Sequence, residues 1–304
     1  MRTFTPTDAI PNDARGASIA LGNFDGVHLG HQAVIASARA AGGALGVAVF
    51  RPHPRRLFQP DAPPFRLENN AQRARALAAL GVNNLYEIGF DRALSQISDR
   101  EFAERVLRDR LGVGHVSVGA DFRFGRGRMG DAESLQRLGT ELGFGVDAVA
   151  PVGGSAKISS TAIRDAIVSG DMKAAASLLG RTWAIEGEVR KGFMRGRTLG
   201  FATANVGLGE YVRPKFGIYA VRAHLGDGVT RDGVASVGIN PTYTDVTEPL
   251  LEAHLFDFDA DLYGRTIEVE LIAFLRAEAK FENADALARQ IAEDAAAARA
   301  LLRF

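Results

Sequence analysis

The run at residues 22–31, GNFDGVHLGH, places two histidines three residues apart after a glycine turn. A short apolar run precedes it and a helical pattern follows, so His28 and His31 would share one face at a helix start. Backbone N–H groups and the positive end of the helix dipole are available there for phosphate oxygens. Gly26 and Gly30 allow a nucleotide to approach the backbone closely. The alternative is a helix cap with two surface histidines, but the order strand, turn, helix favours a phosphate site.

A second run at residues 191–205, KGFMRGRTLGFATAN, combines glycines with basic residues. The glycines suit a mobile loop that closes over a nucleotide, and Arg195 and Arg197 can face its phosphates. Thr203 and Asn205 are two apart in a strand and therefore lie on one face, where their oxygens could help hold Mg²⁺. A flexible basic hairpin beside an ordinary polar strand face is the alternative, and this run alone does not decide between them.

The elements that must position the first run alternate between short apolar segments and helical patterns. Strands are predicted at 18–24, 46–50, 85–90, 115–119 and 146–150, and helices at 32–41, 70–80, 99–111 and 132–142. This alternation is typical of an α/β domain with a doubly wound, Rossmann-like parallel sheet. Sites in such sheets lie beyond the carboxyl ends of the strands, where the glycine turn falls.

The pattern changes after residue 180. Strand-like segments at 183–189, 202–206, 217–225, 233–237, 250–256 and 266–274 are separated by glycine-rich turns. They predict an antiparallel β-barrel, closed by one amphipathic helix that begins after Asn283. We therefore expect two domains, 1–180 and 181–304.

Composition limits the class of partner. The 304 residues carry 36 basic and 36 acidic side chains and no cysteine. Zero net charge argues against binding to nucleic acid or membrane through bulk charge, and the lack of cysteine excludes disulfides and thiolate chemistry. No signal peptide or long apolar stretch is present, so we expect a cytoplasmic protein.

The first run resembles the H-x-G-H nucleotidyltransferases, and in the form GNFDGVHLGH it looks like the adenylyltransferase half of prokaryotic FAD synthetase. Three further segments are similar to motifs of that family, in the same order: FRPHP at 50–54, GADFRFG at 119–125 and ISSTAIR at 158–164. The departure is Ala162, where the family often has a second arginine.

The resemblance implies that His28 and His31 stabilise a pyrophosphate leaving group. It also implies nucleotide or phosphate contacts by Gly22, Asn23, Phe24, Asp25, Lys157, Ser160, Thr161 and Arg164, and flavin contacts by Asp121, Phe122 and Phe124. Each segment also has a plainer interpretation, because FRFG could supply core aromatics and SST could cap a helix.

The second run resembles the riboflavin kinase module, whose motif reads G-R-x-L-G-x-P-T-A-N. Ala202 stands where that family usually has proline. The segment at 251–264, LEAHLFDFDADLYG, is similar to a second motif of the module and implies that Glu252 is the catalytic base. The same resemblance implies phosphate contacts by Gly192, Arg195, Gly196 and Arg197, and Mg²⁺ ligands at Thr203 and Asn205.

Together the resemblances imply a bifunctional enzyme of FAD biosynthesis, a kinase and nucleotidyltransferase that uses ATP and Mg²⁺ to convert riboflavin to FMN and FMN to FAD. Three alternatives stay open. Ala162 or Ala202 could mark an inactive module in a monofunctional enzyme. The chain could bind flavin without ATP turnover, or it could join a general cytidylyltransferase to an unrelated barrel.

Overall fold

A computed structural model describes residues 1–153, 158–190, 203–226, 228–239 and 248–303. The chain divides into two compact units. Unit 1 consists of Met1–Pro63 and Asn70–Ser159, and unit 2 consists of Pro64–Asn69 and Ser160–Phe304.

Unit 1 is built on a six-stranded parallel sheet. Its strands are β1 (Arg2–Phe4), β2 (Ser18–Leu21), β3 (Leu45–Arg51), β4 (Asn84–Gly89), β5 (His115–Gly119) and β8 (Gly145–Val149). They are ordered β1-β4-β3-β2-β5-β8, and β6 (Arg123–Phe124) pairs with β7 (Gly130–Asp131) in a separate hairpin. This order confirms the predicted doubly wound α/β fold, with its reversal between β2 and β5.

Helices cover both faces of this sheet. They are α1 (Leu29–Ala40), α2 (Pro54–Phe58), α3 (Asn70–Ala79), α4 (Arg92–Gln96), α5 (Asp99–Glu101), its π-helical continuation Phe102–Leu111, and α6 (Ala132–Leu142). One core joins α1 and α3 to Val47 and Val49 of β3. The other joins the π-helix and α6 to Phe50 of the same strand. Alternate residues of β3 therefore serve opposite cores, as strand geometry requires.

Unit 2 contains a closed barrel in the order β10-β13-β12-β11-β14-β9. The strands are β9 (Ala184–Arg190), β10 (Thr203–Gly207), β11 (Gly217–His224), β12 (Thr230–Gly238), β13 (Leu250–Leu255) and β14 (Thr266–Arg276). All their pairings are antiparallel, which confirms the predicted barrel. Helix α9 (Ala284–Leu302) follows, and the Asn283 side chain caps it by accepting from the Ala286 N–H.

Unit 2 also includes α7 (Ser160–Ser169), α8 (Met172–Leu179) and the segment Pro64–Asn69. Ile163 and Ile167 of α7 are fully buried in the core that fills the barrel. The Trp183 indole N–H donates to the Leu67 carbonyl over 2.7 Å. By packing, the two helices belong with the barrel, although the sequence pattern grouped them with the first domain. That residues 1–180 and 181–304 each carry one of the two activities remains a prediction.

Most predicted strands lie within two residues of the observed ones. Strand β2 is shorter than predicted and ends at Leu21, because the chain enters a turn in which Phe24 adopts a φ of 49°. No sequence pattern indicated β1, which has three residues, or the β6–β7 hairpin, whose strands have two residues each. None of the described helices is both long and apolar enough to cross a membrane.

The Arg276–Asp294 ion pair joins β14 to α9 and gives a test of how the barrel is stabilised. Two hydrogen bonds of 2.8 and 2.6 Å link the side chains, and Asp294 is 7% exposed. Asp294→Asn should lower the free energy of unfolding of unit 2 by about 1–3 kcal/mol, because it leaves a partly buried guanidinium without its counter-charge. Urea unfolding followed by fluorescence of Trp183, the only tryptophan of the chain, measures this.

Asp257→Asn is the matched control, since Asp257 makes the same two-bonded contact with Arg299 of α9 but its side chain is 80% exposed. Solvent screens that pair, so its loss should change stability little. Equal destabilisation by both substitutions would contradict this account.

Candidate functional site

The turn between β2 and α1 positions the two histidines of unit 1. The Gly22 N–H still donates to the Ala48 carbonyl of β3 over 3.1 Å, after which the chain leaves the sheet. Phe24, Gly26 and Val27 then take φ values of 49°, 94° and 39°. Positive φ is strained for the aromatic and β-branched residues and persists only where surrounding contacts hold it. The turn is therefore a specified backbone shape.

His28 and His31 lie together at the start of α1, as their spacing predicts. Their rings stack with centroids 3.6 Å apart and an angle of 15° between the planes. His28 is also the N-cap, because its Nδ1 accepts from the His31 N–H over 3.2 Å. A Cβ at position 30 would lie 3.1 Å from the His28 ring, so Gly30 makes this arrangement possible. His28 therefore caps the helix and also stacks its imidazole on that of His31.

Contacts that the sequence did not indicate hold the same turn. Arg73 of α3 is 2% exposed and donates from Nη1 to the Asn23 carbonyl over 3.3 Å. Gln32 of α1 donates from Nε2 to the Val27 carbonyl over 3.1 Å. Gln32 adjoins the motif, but Arg73 lies about fifty residues away in an ordinary helical pattern, so no local signal could have identified it.

Two further motif residues, Asn23 and Asp25, also line this turn. Asp25 is 2% exposed. The Asn23 Oδ1 is buried and meets no hydrogen-bond donor within the part of the chain that the structure describes. Buried acceptors in native proteins are normally satisfied, so this atom is open to a donor from a ligand.

The ISST segment contributes to both units. The Ile158 carbonyl lies 3.5 Å from the position of a Cβ at Gly30, beside the start of α1 in unit 1. Ser160, Thr161 and Arg164 begin α7 in unit 2. The Arg164 Nε donates to the Phe65 carbonyl over 2.7 Å, and its guanidinium lies 5.6 Å from the centre of the Phe65 ring. This contact fixes the Arg164 side chain.

The predicted flavin-contacting residues differ in exposure. Phe124 is 6% exposed and lies in the core beside Phe102, at a centroid distance of 5.6 Å. Phe122 is half-buried and stacks on Phe124 with centroids 5.6 Å apart, and Asp121 is exposed. Phe124 thus packs as a core aromatic, which was its plainer interpretation, and Phe122 offers the more open ring.

An ion pair joins the two strands of the β6–β7 hairpin that follows. Arg123 contacts Asp131 over 3.0 Å across the two strands. The Ser134 backbone N–H and the neighbouring Arg123 guanidinium hold the pKa of the Asp131 carboxyl below its usual range. Asp131 thus stays ionised as the cap of α6.

In unit 2, strand register gathers the predicted kinase residues. Asn205 of β10 pairs directly with Glu252 of β13, and Thr203 pairs with His254. The intervening Ala204 and Ala253 are buried in the core cluster that fills the barrel, so the polar pairs lie on its outer face. Directly opposed residues have Cβ atoms about 4.5–5.5 Å apart. The side chains of Thr203 and Asn205 and the Glu252 carboxylate are therefore neighbours.

The same row continues across two more strands. Arg190 of β9 pairs with Asn205, and Ser236 of β12 pairs with Glu252. A cation, an amide, a carboxylate and a hydroxyl thus follow one another across four strands. The sequence did not indicate Arg190 or Ser236, because only the register of the barrel makes them neighbours of the motif residues.

Hard oxygen donors such as those of Thr203 and Asn205 are of the kind that Mg²⁺ accepts. Within the described ranges, no group of three or more His, Asp or Glu side chains could hold a metal ion. Several predicted residues lie outside those ranges: Lys157, Gly192, Arg195, Gly196, Arg197 and the departure Ala202.

Comparison with known proteins agrees with this architecture. The FAD synthetase family matches residues 10–162, and the riboflavin kinase family matches residues 179–302. A solved structure described as a macrolide-efflux protein from Streptococcus pneumoniae superimposes with a TM-score of 0.86 at 31% identity, covering 98% of this chain and 99% of that one.

Curated relatives carry one common description, bifunctional riboflavin kinase/FMN adenylyltransferase. The Pseudomonas fluorescens protein is 41% identical over 94% of this chain and 93% of its own length. The Escherichia coli K12 protein is 41% identical over 93% and 92%, and the Bacillus subtilis protein 35% over 95% and 93%. These matches confirm the resemblance seen in the motifs: the chain belongs to the family of bifunctional riboflavin kinase/FMN adenylyltransferases.

Proposed function

We propose that this chain makes FAD from riboflavin in two ATP-dependent steps. Unit 2 transfers the γ-phosphoryl group of ATP to riboflavin, which gives FMN and ADP. Unit 1 transfers AMP from a second ATP to FMN, which gives FAD and pyrophosphate. The observation that carries the proposal is the direct pairing of Asn205 with Glu252 on a barrel of the riboflavin kinase family. The stacked pair of His28 and His31 supports the second step.

In the kinase step, the Glu252 carboxylate takes the proton of the riboflavin 5′-hydroxyl as that oxygen attacks the γ-phosphorus. Thr203 and Asn205 would hold Mg²⁺, which when bound supplies charge neutralisation for the phosphates. Placing these oxygens one strand from the base orients the phosphate toward the hydroxyl. Further phosphate contacts are proposed at Gly192, Arg195, Gly196 and Arg197.

In the adenylyl transfer, a phosphate oxygen of FMN attacks the α-phosphorus of ATP and the bond to pyrophosphate breaks. His28 and His31 stabilise the negative charge that develops on the leaving group. The proposed nucleotide contacts are Gly22, Asn23, Phe24, Asp25, Lys157, Ser160, Thr161 and Arg164, and the proposed flavin contacts are Asp121, Phe122 and Phe124. The open Asn23 Oδ1 supports this assignment, because ATP or FMN can supply the missing donor.

The substrates and products of both steps are small molecules, and we place the protein in the cytoplasm as a monomer or weak homo-oligomer. Neither step calls for nucleic acid or a membrane. The similarity to bifunctional relatives and to the riboflavin kinase family argues against a general cytidylyltransferase joined to an unrelated barrel.

The product profile tests the proposal directly. Protein incubated with Mg²⁺ and ATP should convert riboflavin to FMN and FAD, and should convert separately supplied FMN to FAD, as followed by chromatography. FMN that accumulates without FAD would make the chain a monofunctional kinase. Flavin that binds but stays unchanged would make it a flavin-binding protein.

Replacement of His28 separates its chemistry from its capping role. Asparagine is a favourable N-cap, so His28→Asn should keep α1 intact while it removes the imidazole. FAD formation from FMN should fall about 10²-fold or more, as for loss of one group that stabilises developing charge. Riboflavin phosphorylation in the same sample should stay near wild type. Equal loss of both activities would overturn the assignment of His28 to one site.

Replacement of Glu252 tests the base of the kinase step. Glu252→Gln keeps the shape of the side chain but cannot accept the proton, so FMN production should be abolished while supplied FMN is still converted to FAD. The control is Glu188→Gln, which makes the same change from carboxylate to carboxamide at an exposed position of β9. It should leave both activities unchanged. Kinase turnover near wild type in Glu252→Gln would remove Glu252 from the mechanism.

A further inference from the structure

A half-buried ion pair lies at the carboxyl end of the sheet in unit 1, between Arg51 of the FRPHP segment and Glu87. Strand β3 ends at Arg51, which by strand alternation shares a face with Val47 and Val49. That face carries the core formed with α1 and α3. Glu87 of β4 pairs in register with Val49, so it lies on the same face. Arg51 and Glu87 are thus on the side of the sheet that α1 covers.

The carboxylate of this pair is buried and the guanidinium is not. Glu87 is 4% exposed, whereas the Arg51 side chain is 52% exposed, and Nη1 of Arg51 donates to Oε2 of Glu87 over 2.7 Å. The cost of desolvating a buried carboxylate largely offsets the attraction within one ion pair, so the pair adds little net stability. Its evident effect is to fix one edge of the Arg51 guanidinium at the end of β3.

The other donors of Arg51 are open. Across the described ranges, its side chain makes no hydrogen bond apart from the one to Glu87. Strand β3 adjoins β2, and the Gly22 N–H that begins the histidine turn bonds to Ala48, three residues before Arg51. A residue adds about 3.3 Å along a strand, so Arg51 ends its strand about 10 Å beyond that bond. Arg51 therefore lies at the same edge of the sheet as the histidine turn, and its Glu87 anchor is on β4, the neighbour of β3 on the other side.

From this placement we propose that Arg51 is a further phosphate-binding residue of unit 1, held by Glu87 so that its free N–H groups face the substrates of adenylyl transfer. The inference rests on the proposed function. A planar guanidinium matches phosphate oxygens in two-bonded geometry, and anchoring by a carboxylate lowers the entropy lost on binding. The phosphate can be that of FMN or one of those of ATP.

A double variant gives the cleanest test. Arg51→Gln alone would leave the Glu87 carboxylate buried without its partner, whereas Arg51→Gln combined with Glu87→Gln removes both charges and leaves a neutral amide pair. In FAD formation from FMN, the double variant should raise the KM for FMN or for ATP about 10- to 100-fold, with kcat changed little. A rise for FMN identifies its phosphate as the ligand, and a rise for ATP identifies the triphosphate.

Arg51→Lys keeps the positive charge but loses the planar guanidinium that can make two parallel hydrogen bonds to a phosphate. The KM of this variant should therefore lie between those of wild type and the double variant. The control Arg105→Gln removes an arginine paired with Glu101 at 3.6 Å in the same unit and should leave both KM values unchanged. Unaltered KM values in a folded double variant, or a loss confined to kcat, would overturn the proposal.

Titration calorimetry of FMN and of ATP, without added metal, keeps this test independent of turnover. Because unit 2 also takes ATP and FMN, each titration is fitted to two sites, and in the double variant one of the two ligands should bind about 10- to 100-fold more weakly at one site and unchanged at the other. A wild-type protein that forms no FAD would contradict the proposed function alone, while equal binding by wild type and double variant would contradict the role of Arg51.

Discussion

The proposed kinase site of unit 2 depends on strand register. Side chains alternate between the two faces of a strand, so a one-residue slip of β10 would turn Asn205 inward and Ala204 outward, and a slip of β13 would do the same to Glu252 and Ala253. The cost of burying a carboxylate and an amide in the barrel interior excludes that alternative. The apolar residues therefore fix the position of the polar ones, and the site is held by the core on the opposite face.

Unit 1 uses a different constraint, the shape of one turn. Phe24 and Val27 hold positive φ values that their side chains disfavour, and contacts from α1 and α3 maintain them. The result is a backbone shape that exists before any ligand arrives, with His28 capping the helix and stacking on His31. Such preorganisation is what stabilisation of charge in a transition state requires. Unit 2 achieves its arrangement through a sheet, and unit 1 through a strained loop.

The sequence predicted what local spacing controls. Period-two and helical patterns placed the main strands and helices, and the i, i+3 and i, i+2 spacings correctly indicated that the histidines, and Thr203 with Asn205, share a face. Contacts between distant segments had no such signal. The Asn205–Glu252 pairing, the Arg73 contact with Asn23 and the Arg51–Glu87 pair all depend on which segments become neighbours. Helices α7 and α8 were grouped by order along the chain, whereas their apolar faces bury against the barrel core.

The segment Pro64–Asn69 bears on the order in which the chain can fold. Leu67 accepts from Trp183, which lies 116 residues later, and Arg66 exchanges backbone hydrogen bonds with Glu210 and Val212. During synthesis this segment leaves the ribosome long before those partners exist. It must stay unpaired while the residues on either side of it, which belong to unit 1, are already able to assemble. Contacts of such long sequence separation form slowly, so closing this loop is expected to be among the last events of folding.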